Sequence, residues 1–318
     1  MSMSTEPLLK KKWNYDDIED QTGKIFIVTG ANSGLGFSAS RGLASHGATV
    51  IMTSRSIEKG NKAAGKIKEK YPNAKLDVMQ LDLASFKSIK EFAYSVKSKY
   101  NHLHGLLNNA GVMQPPFRKT EDDLELQMGT NHFGHYLLTG LLLDVIKATP
   151  GARVISQSST VHEMTKGINF DDINNEKKYS RTEVYAQSKL ANLLFVFELN
   201  RKFKEHNIDV IALGVHPGYS ATNLQSSGPS LGGVSFFSRA YKVTNFLVAQ
   251  SVDKGALPLI YAAVAPDVHG GDYIGPKGMR RMRGFPRRLK AKKTAYDEEM
   301  AKKLWTISEE KTGLKYNF

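Results

Sequence analysis

The chain has 318 residues, 41% of them hydrophobic and 24% charged, and its 44 Lys+Arg against 31 Asp+Glu give a formal net charge of +13. This composition excludes disordered, collagen-like and low-complexity chains, and the length suits one large α/β domain or two ordinary ones. The sequence contains no cysteine, which excludes a disulfide framework, a thiolate metal site and a cysteine nucleophile.

Short apolar runs alternate with longer segments of helical period along most of the chain. We predict strands at residues 24–29, 49–53, 76–81, 103–108, 153–157, 209–214 and 272–274. We predict helices after the glycine-rich turn up to about 46, and near 57–71, 86–100, 122–147, 184–203, 252–264 and 296–310. Since strand–helix–strand units form right-handed crossovers, we predict a single doubly wound parallel sheet with helices on both faces.

The chain ends and one internal segment have weaker patterns. We interpret residues 1–20 as an N-terminal leader and 21–318 as one domain, with an aromatic segment at about 219–250 that covers the substrate. The apolar side chains of that segment are Phe236, Phe237, Tyr241, Phe246 and Leu247. No apolar segment has the roughly 18–20 residues of a membrane span, and no signal peptide is evident, so we expect an intracellular, cytoplasmic protein.

A basic C-terminal extension begins at about residue 277. Nine Lys or Arg and no acids lie between Lys277 and Lys293. We interpret this stretch as a solvated basic turn before the last helix. The alternative is a surface for polyanions or for peripheral membrane contact; nucleic-acid binding is not expected.

The segment Thr29–Gly36 lies where the first predicted strand turns into the first helix. Glycines at such a turn let the backbone approach a pyrophosphate, and the helix N-terminus offers free N–H groups. Strand, glycine turn and helix occur in the required order, which favours a dinucleotide site over a simple tight turn.

The end of the second predicted strand indicates which dinucleotide binds. An NAD site usually has Asp or Glu there, whereas this chain has Arg55. A guanidinium suits a 2′-phosphate, so we predict NADP(H) in preference to NAD(H), the alternative being an ordinary solvated arginine. Asp82 and the segment Asn109–Gly111 follow the third and fourth strands. They can face the same cofactor or simply form turns.

A candidate acid–base group lies on the helix near 184–203. Tyr185 and Lys189 are one helical turn apart, and a nearby cation lowers the pKa of a phenol from its usual value of about 10. Ser159 follows the fifth predicted strand, where its hydroxyl could hold a substrate oxygen while Tyr185 exchanges a proton with it. A chance Tyr–Lys pair is the alternative.

Together these motifs resemble the short-chain dehydrogenase/reductase family. The matching segments are TGANSGLG at 29–36, NNAG at 108–111, TNHFGHYLLT around Asn131, Ser158–Ser159, YAQSK at 185–189 and HPG at 216–218. The Ser-Ser-x-x-His run ending at His162, the Tyr-Ser-x-x-x-x-Tyr stretch at 179–185 and the SKLANLLF continuation are similar to the retinol-dehydrogenase-like branch. That branch includes the oxidoreductase domain of the WW-domain oxidoreductases.

The resemblance implies a Rossmann-type fold with Tyr185 as general acid/base, Lys189 as its pKa-lowering partner and ribose ligand, and Ser159 as the group that orients the substrate oxygen. Asn131 would kink the long helix and hold a water in a proton relay to Lys189. The implied cofactor contacts are Gly30, Ser33, Gly34, Leu35 and Gly36 at the phosphates, Asp82 near adenine, Asn109 near a ribose, Ala110 and Gly111 against the cofactor, and Pro217, Gly218, Ser220 and Thr222 beside the nicotinamide.

We therefore predict an NADP-preferring oxidoreductase that interconverts an alcohol and a lipophilic aldehyde or ketone, mainly by carbonyl reduction. A homodimer through the helices near 122–147 and 184–203 is expected, since these are similar to the family's usual dimer faces. We expect no metal, because His132 and His135 have no acidic or third ligand at matching spacing. The alternative is a catalytically silent NADP-binding regulator or scaffold, with possible docking to anionic surfaces.

Overall fold

A computed structural model describes residues 12–219 and 250–318. Its strands are β1 (Ile25–Val28), β2 (Thr49–Ser54), β3 (Lys75–Gln80), β4 (Gly105–Asn108), β5 (Ala152–Gln157), β6 (Val210–Val215), β7 (Tyr273–Lys277) and β8 (Arg283–Leu289). Its α-helices are α1 (Gly34–Ala44), α2 (Ile57–Lys70), α3 (Phe86–Lys99), α4 (Leu126–Met128), α5 (Gly134–Leu141), α6 (Leu143–Lys147), α7 (Arg181–Glu205), α8 (Val252–Val264), α9 (Gly278–Arg281) and α10 (Glu298–Thr312).

The strands form one sheet in the order β3-β2-β1-β4-β5-β6-β7-β8. Neighbouring strands from β3 to β7 are parallel, and β8 is antiparallel to β7. The order reverses between β1 and β4, which opens a crevice at the carboxyl ends of these strands. The predicted doubly wound α/β fold is confirmed, with one antiparallel edge strand that we did not predict.

Alternate residues of each strand face opposite helical layers, as the two-residue period of a strand requires. Ile27 and Ile51 belong to the core that also contains the buried residues of α3, α5, α7 and α10. Phe26, Val28 and Val50 belong to the second core, under α1, α2 and α8. Both faces of the sheet are therefore covered, which is why the strands read as continuous apolar runs.

The predicted helix at 122–147 is wrong in its first residues and in its continuity. Asp123 has φ +60°, which is incompatible with a right-handed helix, and α4 begins only at Leu126, where the Glu125 carboxylate accepts N–H bonds from Gln127 and Met128. A π-helical turn at Gly129–Phe133 then separates α4 from α5. Such turns insert an extra residue into a helix and are frequent at functional sites.

The interpretation of the basic stretch as a solvated turn is also wrong, because β8 lies within it. Arg288 forms an ion pair with Asp272 at 2.8 Å, with both side chains under a tenth exposed. Arg281 pairs with Glu163 at 2.9 Å. Part of the basic charge is thus held inside the fold, and Arg288 is not a surface group for polyanions.

The C-terminal segment packs against the helices that we expected to pair two copies. Trp305 of α10 lies 5.9 Å, centre to centre, from the Phe195 ring of α7. The Tyr316 hydroxyl donates to the Tyr136 carbonyl of α5, and a Cβ at Gly140 would lie 2.4 Å from the Tyr316 ring. The homodimer stays a prediction, and the structure covers part of the helix faces on which it was based.

Residues before β1 also pack on the domain. Trp13 is buried and meets the Tyr261 ring edge-on at 4.9 Å. Within the described ranges, no helix combines the length and apolar character needed to cross a bilayer. The predicted substrate-covering segment, apart from Tyr219 and Gln250, lies outside the described residues.

Candidate active site

The glycine loop forms a cradle between β1 and α1. Gly30 and Gly34 have φ +67° and +57°, in the left-handed region that glycine adopts without strain. A Cβ on Gly36 would lie only 2.4 Å from the Gly30 carbonyl oxygen. Among the described residues, the Ser33 side chain makes no capping hydrogen bond to α1, so the first N–H groups of that helix remain available to an anion. These residues fit a dinucleotide pyrophosphate.

A basic cavity adjoins this cradle. Arg55, which is exposed, follows β2 directly, and the Ala31 N–H donates to the Thr53 carbonyl at 2.9 Å, which joins the glycine loop to the end of β2. The cavity has a volume of about 300 Å³ and is lined by Asn32, Ser33, Phe37, Lys59, Lys62, Ala63 and Lys66. Its three lysines, which sequence reasoning missed, recur at helical spacing on one face of α2.

A hydrogen-bonded cluster ties the ends of β1 and β4 together. Thr29 Oγ1 accepts bonds from the N–H groups of Asn109 and Ala110, both at 2.9 Å, and lies 3.0 Å from His135 Nε2. His135 Nδ1 lies 3.0 Å from the Asn131 carbonyl oxygen. A carbonyl only accepts, so Nδ1 carries the proton and Nε2 accepts from Thr29. Burial lowers the pKa of His135 to about 4, consistent with this neutral form.

Asp82 lies after β3 and its side chain stabilises a turn. Its Oδ1 accepts the Ala84 N–H at 2.9 Å, and its own N–H donates to Ser88 Oγ at 2.9 Å. Asp82 therefore stabilises its own turn through these two hydrogen bonds. Its position near adenine stays a prediction.

The predicted acid–base residues lie together at the N-terminal half of α7. Tyr185 is 7% exposed and lies beside Ser159, which follows β5 and whose side chain favours the ionised phenol. Lys189 Nζ lies 5.6 Å from the centre of the Tyr185 ring and donates to the Gln157 carbonyl at 3.2 Å. A phenol, a hydroxyl and an ammonium thus meet at the carboxyl edge of the sheet.

Asn131 lies within the π-helical turn and is fully buried. Its Nδ2 donates to the Val112 carbonyl at 3.0 Å and to Ser188 Oγ at 2.9 Å, and its Oδ1 accepts the Val112 N–H at 2.8 Å. A Cβ at Gly111 would lie 2.8 Å from Asn131 Oδ1 and 3.4 Å from Lys189 Nζ. Asn131 therefore joins the loop after β4 to α7, while its predicted relay water stays a prediction.

The expected effect of Lys189 on the pKa of Tyr185 is not found. Burial raises the pKa of Tyr185 well above its ordinary value, and the side chain of Ser159 opposes this rise. The Lys189 ammonium donates to the Gln157 carbonyl. Burial also lowers the pKa of Lys189 to about 8. Tyr185 is consequently a protonated phenol near neutral pH, a form that donates a proton.

The shifted pKa of Lys189 makes stability depend on pH. Unfolded lysine titrates near ~10.4, so between pH 8 and that value the unfolded chain binds more protons than the folded chain. Lys189 by itself therefore contributes a rise in the free energy of unfolding with pH across this window. We expect Lys189→Met to remove this rise, measured by urea unfolding between pH 7.5 and 10, and the exposed control Lys68→Met to retain it. Equal pH slopes for wild type and Lys189→Met would contradict the assignment.

The segment after β6 adds two backbone positions to the edge of the crevice. Gly218 has φ +68°, and a Cβ there would lie 2.4 Å from the Met282 carbonyl. The Pro217 carbonyl accepts from Gln250 Nε2 at 2.6 Å. The other predicted nicotinamide contacts, Ser220 and Thr222, lie outside the described residues.

Comparison with known proteins gives consistent matches. The model of the short chain dehydrogenase family matches residues 24–230. Retinol dehydrogenase 13 from Homo sapiens is 39% identical over 295 residues, covering 92% of this chain and 85% of the relative. Short-chain dehydrogenase TIC 32 B, chloroplastic, from Brassica napus is 38% identical over 292 residues, covering 89% and 86%. The crystal structure of an uncharacterized protein from Mycobacterium paratuberculosis superposes with a TM-score of 0.80 at 35% identity, covering 96% of this chain and 100% of that one.

Proposed function

Because the chain belongs to the short-chain dehydrogenase/reductase family, in its retinol-dehydrogenase-like branch, we propose that it reduces a lipophilic aldehyde or ketone with NADPH. The family membership itself gives the coarser activity. The chain is a nicotinamide-dependent oxidoreductase that interconverts alcohols and carbonyls. The cofactor supplies the hydride, and the protein supplies orientation and a proton donor.

The observation that carries the proposal is that the buried phenol of Tyr185, the side chain of Ser159 and the ammonium of Lys189 lie together at the carboxyl edge of the sheet. In the proposed reaction, Ser159 holds the carbonyl oxygen and Tyr185 gives it a proton as the neighbouring carbon is reduced. Lys189 lies one turn further along α7 and holds a ribose, with Asn131 fixing the loop beside it. The protonated phenol is the form of Tyr185 that this reaction requires.

The basic cavity beside the glycine cradle supports NADPH as the preferred cofactor. Arg55 stands where an NAD-selective site would have a carboxylate, and the lysines at positions 59, 62 and 66 line the adjoining space. A 2′-phosphate adds about two negative charges, which four cations at one end of the crevice would stabilise.

The cofactor proposal is tested by removing the cation next to β2. We expect Arg55→Met to lower kcat/KM for NADPH about 10-fold, the equivalent of about 1.4 kcal/mol for one charge-assisted contact, and to leave the NADH value unchanged. Lys68→Met removes a charge from α2 outside the cavity and serves as the control. The proposal would be wrong if Arg55→Met weakened both cofactors equally.

Exposed apolar side chains near the start of α7 support a lipophilic substrate. Phe117 and Met164 are 42% and 63% exposed, and their loops are joined to α7 by Gln114–Thr182 and Thr165–Glu183 hydrogen bonds. Both loops therefore contact the first turn of α7, the helix that carries Tyr185. Retinol, the substrate in the name of one relative, is itself a lipophilic alcohol.

A series of straight-chain aldehydes tests the substrate class. We expect kcat/KM with NADPH to rise with chain length, by a few-fold per added CH₂ that becomes buried, since each contributes up to about 0.8 kcal/mol. A flat series, or one that falls with length, would contradict a lipophilic substrate without affecting the cofactor proposal. We also propose a cytoplasmic location, because a cysteine-free chain fits a reducing compartment.

A further inference from the structure

Ser159 lies on a turn with little internal stabilisation. It precedes a 3-10 helix of one turn, Thr160–Glu163, and its Oγ accepts the Val161 N–H at a long 3.3 Å. Short 3-10 helices have poor hydrogen-bond geometry, so the direction of the Ser159 hydroxyl must be set by contacts outside the turn.

His162 provides the first of these contacts. It is fully buried, its Nδ1 lies 2.6 Å from the Ser159 carbonyl oxygen, and its Nε2 accepts the backbone N–H of Lys292 at 3.2 Å. The carbonyl only accepts and the N–H only donates, so a single neutral tautomer satisfies both. The ring also meets Tyr273 of β7 edge-on at 5.6 Å. His162 thus joins the Ser159 turn to the C-terminal extension.

The basic extension holds the same turn from outside. Lys292 Nζ donates to the carbonyls of Glu163 at 2.9 Å and Thr165 at 2.6 Å. The Arg281 guanidinium pairs with the Glu163 carboxylate and donates to the Lys290 carbonyl. Two cations of the extension, Lys292 and Arg281, therefore bind the turn that carries Ser159.

We propose that His162 is a positioning residue, which, together with Lys292, fixes the turn so that the Ser159 hydroxyl faces Tyr185. The inference rests on the proposed function, in which Ser159 holds the substrate oxygen. It assigns part of the basic extension to the active site, as a latch made of His162, Lys292 and Arg281. A displacement of the turn by about 1 Å is enough to cost up to about 100-fold in rate.

The test compares variants at His162 by carbonyl reduction with NADPH. His162→Phe keeps a ring against Tyr273 and removes both hydrogen bonds, and we expect kcat to fall about 10-fold or more, with the Kd for NADPH within about twofold. His162→Asn places an amide N–H near the position of Nδ1 and should recover most of kcat. Recovery of kcat in His162→Asn would show that His162 acts through its hydrogen bonds. If His162 acted only by packing its ring, the smaller Asn side chain would not restore kcat.

The latch is tested with a pair of neighbouring lysines. Lys292→Met removes two hydrogen bonds to the turn, whereas Lys293→Met makes the same charge change at an exposed residue. We expect Lys292→Met to lower kcat about threefold and to speed amide exchange at Val161 and His162, and Lys293→Met to change neither. Equal effects of the two variants on kcat and on amide exchange would contradict the proposed role of Lys292 in holding the turn.

A double-mutant cycle shows whether His162 acts through Ser159. When single-turnover rates are measured in a Ser159→Ala background, adding His162→Phe should cause no further loss of rate. The same fold-loss in both backgrounds would overturn the positioning role while leaving the proposed function intact. If Ser159→Ala itself kept the wild-type kcat, the proposed function and this inference would both be wrong.

Discussion

Tyr185→Phe is expected to lower kcat for carbonyl reduction by about 10³-fold, within the range of 10²–10⁴ that a positioned acid or base contributes. The substitution removes only the hydroxyl. Because the ring of Tyr185 is buried on α7, it stays in place while the proton donor is lost. The measurement is steady-state turnover of a long-chain aldehyde, combined with NADPH binding by fluorescence.

The Kd for NADPH should change by no more than about twofold in this variant, since the ring and Lys189 remain. Tyr94→Phe makes the same change on α3, where the side chain is 76% exposed, and should leave kcat unaltered. Retention of more than a tenth of wild-type turnover in Tyr185→Phe would refute Tyr185 as the proton donor.

Gly36→Ala is expected to weaken NADPH binding about 30-fold, equivalent to about 2 kcal/mol. The added Cβ would lie 2.4 Å from the Gly30 carbonyl and 2.7 Å from Asn109 Nδ2. Both neighbours belong to the cradle, so relieving the clash must move the backbone that approaches the pyrophosphate. Titration of the variant with NADPH, followed by fluorescence, gives the Kd.

Gly65→Ala is the matched control, because no atom lies within 4 Å of the added Cβ and the residue is exposed on α2. It should leave the Kd unchanged and raise helix stability, by up to about 1 kcal/mol. Unchanged NADPH binding by a folded Gly36→Ala variant would show that the glycine loop is not the phosphate site.

The sequence was sufficient for the parallel strands of the sheet, because buried parallel strands are continuous apolar runs separated by helical segments. It was misleading at residues 122–147, where the apolar pattern continues through a π-helical turn that periodicity does not reveal. It also missed β8, since the arginines of residues 283–289 resemble a solvated turn. Arg288 is buried there because it pairs with Asp272, which precedes β7, and donates to the Asp267 carbonyl.

The residues of the candidate site also fall into two groups, those that a sequence motif indicates and those that it does not. Side chains with a distinctive motif, such as Tyr185, Lys189 and Ser159, could be predicted together. The partner of Lys189 is the backbone carbonyl of Gln157, a group that every residue has, so no motif indicates it. His162 was visible only as part of a family run, and its contact with Lys292 spans 130 positions of the chain.

The pKa of Tyr185 could not be deduced from spacing. A Lys four residues away favours an ionised phenol only if its ammonium faces the hydroxyl. Burial dominates here, because α7 is covered by neighbouring elements along most of its length. Burial thus favours the protonated phenol, which is the form that the proposed carbonyl reduction requires.

The central claim is that the cradle and the Ser159–Tyr185 pair bring a hydride and a proton to one carbonyl. NADPH carrying deuterium at its transferable position tests it most directly, with the alcohol product analysed by mass spectrometry. We predict one deuterium on the carbinol carbon per NADPH consumed by the wild type, at a rate about 10³-fold lower for Tyr185→Phe. NADPH that binds the chain but transfers no deuterium to any aldehyde or ketone would contradict the account and favour a catalytically silent cofactor-binding protein.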